Sequence, residues 1–318
     1  MKKILLSNVI NPAGMNVLKN KVEPVILDDF SVENIKQKVS DVEGIVLRTN
    51  IKITREIIES APKLKIISRT GAGIDNIDIA AATEKGILVC NAPGVNSVSV
   101  AEHALAMMMA LAKNLKITDK CVHEGNWKVR YSSKGVDLDG KTLGLVGLGN
   151  IGAILAKKCR LAFNMKIMAY DPYVEEAEGI ELHSNLEKIF SQSDFISIHV
   201  PHTKETHHMV DSRLLNSMKP DSYLVNTSRG SVVDENALVE ALKNNLIAGA
   251  GIDVFEKEPP ENSNPLFQFV NVITTPHSAG LNRDCERKLA IEAAQAVIDF
   301  IEGKLPKHIY NRNELLLN

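Results

Sequence analysis

Short runs rich in Val, Ile and Leu alternate with segments of helical spacing in two separate series along this chain. The first series reads as strands at 3–9, 25–28, 44–48, 64–68 and 87–90, with helices such as 31–39 and 79–85 between them. Strand, helix, strand in regular alternation means parallel pairing, with helices on the sheet faces. This series stops at the turn cluster Asn91-Ala-Pro-Gly94. A long helix is predicted next, roughly 97–124, and its middle, AEHALAMMMALA (101–112), is apolar on nearly every face. Such a helix is expected to be buried all round, in the core or under a partner subunit. Met107, Met108 and Met109 within it read as packing, because thioether side chains adapt to irregular gaps.

The second series predicts strands at 142–146, 166–170, 195–200, 223–227, 248–254 and 272–275, with helices such as 185–190 and 235–243. A long helix at 283–301, ended by Gly303 and Pro306, closes the pattern. With 318 residues there is room for two α/β domains, and no low-complexity segment suggests a third.

Charge and cysteine usage narrow the function classes. The net charge is -2, so there is no basic field for nucleic acid or an anionic membrane. Any positive charge that matters must be local. Cys90, Cys121, Cys159 and Cys285 are widely spaced without a CxxC pair, which argues against a zinc ribbon or disulfide framework and fits a reducing cytoplasm. No metal site is expected. The opening MKKILLSNVI breaks at Ser7 and Asn8, too early for a signal peptide, and reads as a first strand. No run reaches the length of a membrane span.

The segment LGLVGLGNIG (143–152) places GxGxxG directly after an apolar strand and before a helix-forming run, and a second strand ends in Asp171, 24 residues beyond Gly147. That context is what a dinucleotide-binding turn requires. Gly147 permits the tight turn, Gly149 lets the backbone approach a pyrophosphate, and Gly152 lets helix and strand pack closely. Asn150 and Ile151 open the helix, whose N–H groups and dipole favour phosphate. Asp171 is expected to accept hydrogen bonds from ribose hydroxyls. It would repel a 2′-phosphate, and Pro172-Tyr173-Val174 bring no cation, so NAD is favoured over NADP.

Three further residues stand past strand ends in the second series: Arg229 in Thr227-Ser-Arg-Gly230, Glu258 in DVFEKEPP, and His277 in TTPH. Ligands of open α/β sheets bind outside the carboxyl ends of the strands, so the three are aimed at one place. Glu256 competes with Glu258 within its charged loop, and His199, His202, His207 and His208 show that histidine alone discriminates poorly.

Taken together, VGLGNIG, NTSRGSVVDENAL, AGAGIDVFEKEPP and TPHSAG resemble the D-isomer-specific 2-hydroxyacid dehydrogenase family, and the similarity extends through RTGAGIDNID (69–78) and 91–101. The resemblance implies a Rossmann NAD-binding domain at 97–283, inserted into a flavodoxin-like substrate domain made of 1–96 and 284–318, both of them doubly wound parallel sheets. It implies that Arg229 binds the substrate carboxylate and polarises the keto oxygen, for which a guanidinium fork is suited. His277 would be the acid–base, oriented and made more basic by Glu258. Val200, Thr227, Ser228, Asp253 and Gly280 would contact the cofactor. Ala72 and Gly73 would hold the carboxylate by backbone N–H groups, Arg48 would meet a distal anion, and Asn96 lies at the interdomain crossing. Arg130 is a further candidate for phosphate, and Arg69 is as much an anchor as a ligand.

The expected reaction interconverts a D-2-hydroxy acid and its 2-keto acid. 3-Phosphoglycerate, oxidised in the first step of serine biosynthesis, is the leading substrate, and the alternative is glyoxylate or hydroxypyruvate reduction. An NAD-binding corepressor is a remote alternative, and a formate dehydrogenase is disfavoured because Glu258 is present. The apolar helix at 101–112 points to a dimer contact, and a homodimer, or a tetramer, formed through the NAD-binding domain is expected. Relatives often carry an additional regulatory domain, and with the chain ending at Asn318 no serine-binding feedback module is expected. Ser278-Ala-Gly280 after His277 departs from the usual pattern and bears on substrate identity.

Overall fold

The structure, a computed structural model, describes residues 1–316. Its strands form two sheets in which every pairing is parallel. The first contains β1 (Lys2–Leu6), β2 (Val22–Ile26), β3 (Gly44–Leu47), β4 (Ile66–Arg69) and β5 (Leu88–Cys90), in the order β2-β1-β3-β4-β5. The second contains β6 (Thr142–Val146), β7 (Lys166–Tyr170), β8 (Glu181–Leu182), β9 (Phe195–Ile198), β10 (Tyr223–Asn226), β11 (Gly249–Ile252) and β12 (Val272–Thr274). Its order is β12-β11-β10-β9-β6-β7-β8. Each order reverses once, at β1/β3 and at β6/β9, as the doubly wound reading predicts. In such sheets the reversal opens a crevice outside the carboxyl ends of the strands.

The chain divides into two compact units, 97–280 and the remainder, in which residues 1–96 are joined by the chain from Leu281 onward. The closing helix, Arg283–Ile301, belongs to the first unit because its apolar stripe, Ala290, Ala293, Ala294, Val297 and Ile298, packs with Ile4, Leu6 and Val46. Gly14 makes that contact close: a Cβ there would lie 2.6 Å from the Ala290 carbonyl oxygen. Ser68 Oγ donates to Ala293 O at 2.9 Å from within the core. The helix itself is started by Asn282, whose side chain accepts from Cys285 N. Asp78, Asp211 and Asp234 cap helices in the same way. Each satisfies a donor that the first turn leaves unpaired, a contribution of about 1 kcal/mol.

The helix predicted across 97–124 is instead two, Ser97–Ala112 and Leu115–His123. Asn114 breaks it by adopting the left-handed conformation (φ 51°), which asparagine tolerates, and its Nδ2 donates to Lys134 O. Burial of Ser97–Ala112 is one-sided rather than all round. Val100, Ala101, Ala104, Met107, Met108 and Leu111 are buried, whereas Val98, Glu102 and Ala106 are exposed. The buried side lies against the second sheet. Gly251 in β11 allows the approach, since a Cβ there would already be 3.1 Å from Met107 Cβ. Among the described residues, no helix is long and apolar enough to cross a membrane.

Candidate active site

In the second unit, the carboxyl ends of five strands carry the residues that the motifs single out. The glycine turn follows β6 directly. Gly147 has φ 95°, and its N–H donates to Tyr170 O at the end of β7. An added Cβ on Gly147 would lie 2.8 Å from His199 O, and one on Gly152 would lie 2.3 Å from Gly147 O. The helix Asn150–Phe163 therefore starts hard against the turn. Gly149 differs, because a Cβ there would point into open space, and it caps the helix with no side-chain acceptor. The N–H groups of this helix start stay available to an anion. Asn150 is exposed, Ile151 is half-buried, and Val200 closes the other side of the turn.

Asp171 stands just past β7 and is fixed at the mouth of this turn. Its Oδ2 accepts Leu148 N–H at 2.8 Å and its Oδ1 accepts Tyr173 N–H at 2.9 Å. Each oxygen keeps lone-pair capacity for a hydroxyl donor. The residues after it add Glu175, Glu176 and Glu178 and no cation. Past β10, Thr227 and Ser228 are buried, and Thr227 Oγ1 has no hydrogen-bond partner among the described residues. Open glycine, uncapped helix start, anchored carboxylate and unpaired buried hydroxyl together fit a dinucleotide.

Arg229, Glu258 and His277 converge beyond β10, β11 and β12. His277 Nδ1 is 2.7 Å from Glu258 Oε2, and Glu258 Oε1 accepts Phe255 N–H at 3.1 Å. Burial by itself raises the Glu258 carboxyl, but the His277 hydrogen bond and charge, the Phe255 N–H and the Arg229 charge outweigh it and hold it below the usual value. The neighbouring carboxylate is engaged elsewhere, since Glu256 pairs with His208. Arg229 donates through Nη1 to Ser228 O, and its own carbonyl accepts from Asn226 Nδ2. Gly230 brings its loop against the Glu258 loop, because a Cβ there would overlap the Phe255 carbonyl at 1.9 Å.

Asp253, fully buried, follows β11 and holds the loop bearing His277. Its backbone oxygen accepts His277 N–H at 2.7 Å, Oδ1 accepts Ser278 N–H at 2.8 Å and Oδ2 accepts Ala279 N–H at 3.0 Å. Thr275 and His103 complete this network; Thr275 opens the TPHSAG motif, whereas His103 carries no motif that would have drawn attention to it. Gly280 ends the same loop, half-buried.

Arg48, Ala72, Gly73 and Asn96 belong to the first unit, where they follow the carboxyl ends of β3, β4 and β5. The Arg48 guanidinium is already engaged, with Nη1 donating to Val9 O and Nη2 lying 3.2 Å from the Glu286 carboxylate. Ala72 O accepts from Asn91 Nδ2, and Ala72, Gly73 and Asn96 are all half-buried. Arg130, exposed in the second unit, stacks on Tyr131. Cys90 and Cys159 are poor nucleophiles, because burial pushes both thiols up to about 12.

Comparison with known proteins agrees with this layout. The sequence profile for the D-isomer specific 2-hydroxyacid dehydrogenase NAD-binding domain matches residues 105–279. A glyoxylate reductase of Thermococcus litoralis is 43% identical over 326 residues, covering 98% of each chain. A D-3-phosphoglycerate dehydrogenase of Methanocaldococcus jannaschii is 39% identical across 98% of this chain, which spans 60% of that relative's length. The crystal structure of an NAD-dependent formate dehydrogenase from Staphylococcus aureus, in complex with NAD, superimposes with a TM-score of 0.84 at 30% identity, covering 96% of each chain. A glycine turn and an anchored carboxylate at the head of one parallel sheet, matched along its length by that profile, make this chain a member of the D-isomer-specific 2-hydroxyacid dehydrogenase family, with an NAD(P)-type dinucleotide as cofactor.

Proposed function

We propose that this protein is an NAD-dependent oxidoreductase that interconverts a small D-2-hydroxy acid and its 2-keto acid. The observation that carries the reading is the 2.7 Å contact between His277 Nδ1 and Glu258 Oε2, with the Arg229 charge felt at the same carboxylate. When bound, the nicotinamide dinucleotide supplies the hydride to the keto carbon or accepts it from the hydroxy acid. His277 Nε2 gives the proton to the keto oxygen in reduction and takes it back in oxidation. Glu258 holds the other ring nitrogen, which fixes the tautomer and orientation of the ring. Arg229 holds the substrate carboxylate and polarises the keto oxygen. The glycine turn and the start of the Asn150–Phe163 helix take the pyrophosphate, and Asp171 takes the ribose hydroxyls. Val200, Thr227, Ser228, Asp253 and Gly280 form the rest of the cofactor seat.

An unphosphorylated acid, glyoxylate or hydroxypyruvate, is the substrate best supported. The Glu286 carboxylate, 3.2 Å from the Arg48 guanidinium, would repel a phosphate brought to that cation. Phosphoglycerate is the second reading, favoured by 39–41% identity to phosphoglycerate dehydrogenases across most of this chain. NADH oxidation with glyoxylate, hydroxypyruvate and 3-phosphohydroxypyruvate decides between them. Wild-type and Arg48→Ala protein should both prefer the unphosphorylated acids, and a strong preference for the phosphorylated one that Arg48→Ala abolishes would reverse the order. NADPH should be weaker than NADH by about 100-fold, from the charge repulsion at Asp171. If only L-hydroxy acids are oxidised, the whole reading fails.

A homodimer formed through the second unit is supported by Val98, Leu115, Val122, Trp127 and Tyr131, large apolar side chains exposed along 97–131. Sedimentation equilibrium showing only monomer at micromolar concentration would remove it. Widely spaced cysteines without a CxxC pair, with Cys90 and Cys159 buried as thiols, support a cytoplasmic location.

A further inference from the structure

The geometry points to His103 as a positioning residue for the His277–Glu258 pair, acting through Thr275 and Asp253. The inference rests on His277 being the proton-transfer group. His103 lies on the helix Ser97–Ala112, and its Nε2 is 3.0 Å from Thr275 Oγ1. Thr275 Oγ1 donates in turn to Asp253 Oδ1 at 2.5 Å. A threonine hydroxyl has one hydrogen. With that hydrogen on Asp253, Thr275 Oγ1 can only accept from the ring, so the hydrogen of His103 sits on Nε2. The chain of donors runs in one direction, from His103 through Thr275 to Asp253.

The end of that chain is the loop that carries His277. Asp253 binds Ser278 N–H and Ala279 N–H through its carboxylate and His277 N–H through its backbone oxygen. His277 itself is held at φ 50°, a conformation that costs energy for any residue with a Cβ and persists only where its surroundings fix it. Thr275 and Ser278 share the same oxygen, Oδ1, so a Thr275 hydroxyl released from His103 could turn away and leave Asp253 free to shift. The imidazole, two residues from Thr275, would move with the loop. Gly251 sets the reach, because it lets Met107 close onto β11 and so brings His103, one helical turn earlier, down to Thr275.

The test is a set of variants chosen for donors: His103→Leu removes the N–H, His103→Gln restores one, and Thr275→Val cuts the chain while keeping side-chain shape. Displacement of a reacting group by a fraction of an ångström lowers rate more than affinity, so His103→Leu should lower kcat about 10-fold with KM for the cofactor changed less than about 2-fold. Thr275→Val should match it, the double variant should be no slower than Thr275→Val, and His103→Gln should recover to within about 3-fold of wild type. Amide exchange of 277–279, read below the melting temperature, should speed up in His103→Leu and return in His103→Gln. Wild-type kcat in His103→Leu, equal losses in Leu and Gln variants, or additive losses in the double variant would overturn the role. His277→Asn separates the two claims: if it retains turnover, the acid–base reading fails, while the exchange data still report on whether His103 orders the loop.

Discussion

Glu258 differs from the neighbouring carboxylates of its loop by what it is tied to. Its two oxygens are divided between the His277 ring and the Phe255 N–H. Glu256, two residues earlier, pairs with His208. Glu258→Gln keeps the shape and removes the carboxylate that fixes the His277 ring, so kcat should fall about 100-fold with substrate KM changed little. Stopped-flow measurement of the hydride step checks this. The same carboxyl titrates below its usual value in the folded protein. It therefore contributes stability above the unfolded value, near 4.3, and the contribution is lost as pH falls through the lower folded value. Denaturant midpoints for wild type and Glu258→Gln should converge as pH drops below that range. Loop position alone left Glu256 and Glu258 as rivals, the family resemblance singled out Glu258, and in the fold Glu258 is the one that meets His277. Arg229, Glu258 and His277 were each legible because they follow strand ends. His103 was not, since its partner Thr275 lies 172 residues away and depends on where a helix crosses a sheet.

At the scale of elements, the junction of β6, the glycine turn and the Asn150–Phe163 helix has no spare volume. A Cβ on residue 152 would sit 2.3 Å from the Gly147 carbonyl, so Gly152→Ala must push the helix off the turn. The expected result is a loss of about 1–3 kcal/mol of stability and of most dinucleotide affinity, read by thermal melting and by NADH fluorescence titration. His199, behind the same turn, makes a second test. Its Nδ1 is buried without a partner among the described residues, its Nε2 meets Ser197 Oγ at 2.9 Å, and burial pushes it down to about 4. In the unfolded chain it takes a proton near 6.5. Between those values the unfolded state binds more protons, so stability is full above about 6.5 and falls as pH drops toward 4, by about 3 kcal/mol in all. His199→Asn should show a shallower loss over that interval in urea titrations than the wild type. The turn was readable from the glycine spacing taken with the strand before it, the helix after it and Asp171, and the fold leaves no room for a Cβ at Gly147 or Gly152. The break at Asn114 was not, because asparagine is compatible with both a continuing helix and a left-handed stop, and the contact to Lys134 O that favours the stop lies outside the local pattern.

For the molecule as a whole, two apolar series in the sequence became two parallel sheets, since a strand–helix–strand order leaves few other ways to bury both faces. The two-residue strand β8 carried too few residues to stand out as periodic. Each unit has its own buried core, Leu5, Ile45 and Ile67 in one and Val146, Ile196 and Leu224 in the other. The glycine turn, Asp171 and Thr227 all lie within 97–280. A ligand that binds only the folded form of that unit stabilises it by about 2.7 kcal/mol at 100 times Kd. Saturating NAD should therefore slow amide exchange most in β6, β7, β9 and β10, where opening requires loss of the bound dinucleotide. Exchange in β1, β3 and β4 should change far less, because their opening does not dismantle the dinucleotide seat. Equal protection in both sheets would mean that the two units open as one cooperative body, and that the ligand is linked to the unfolding of the entire chain.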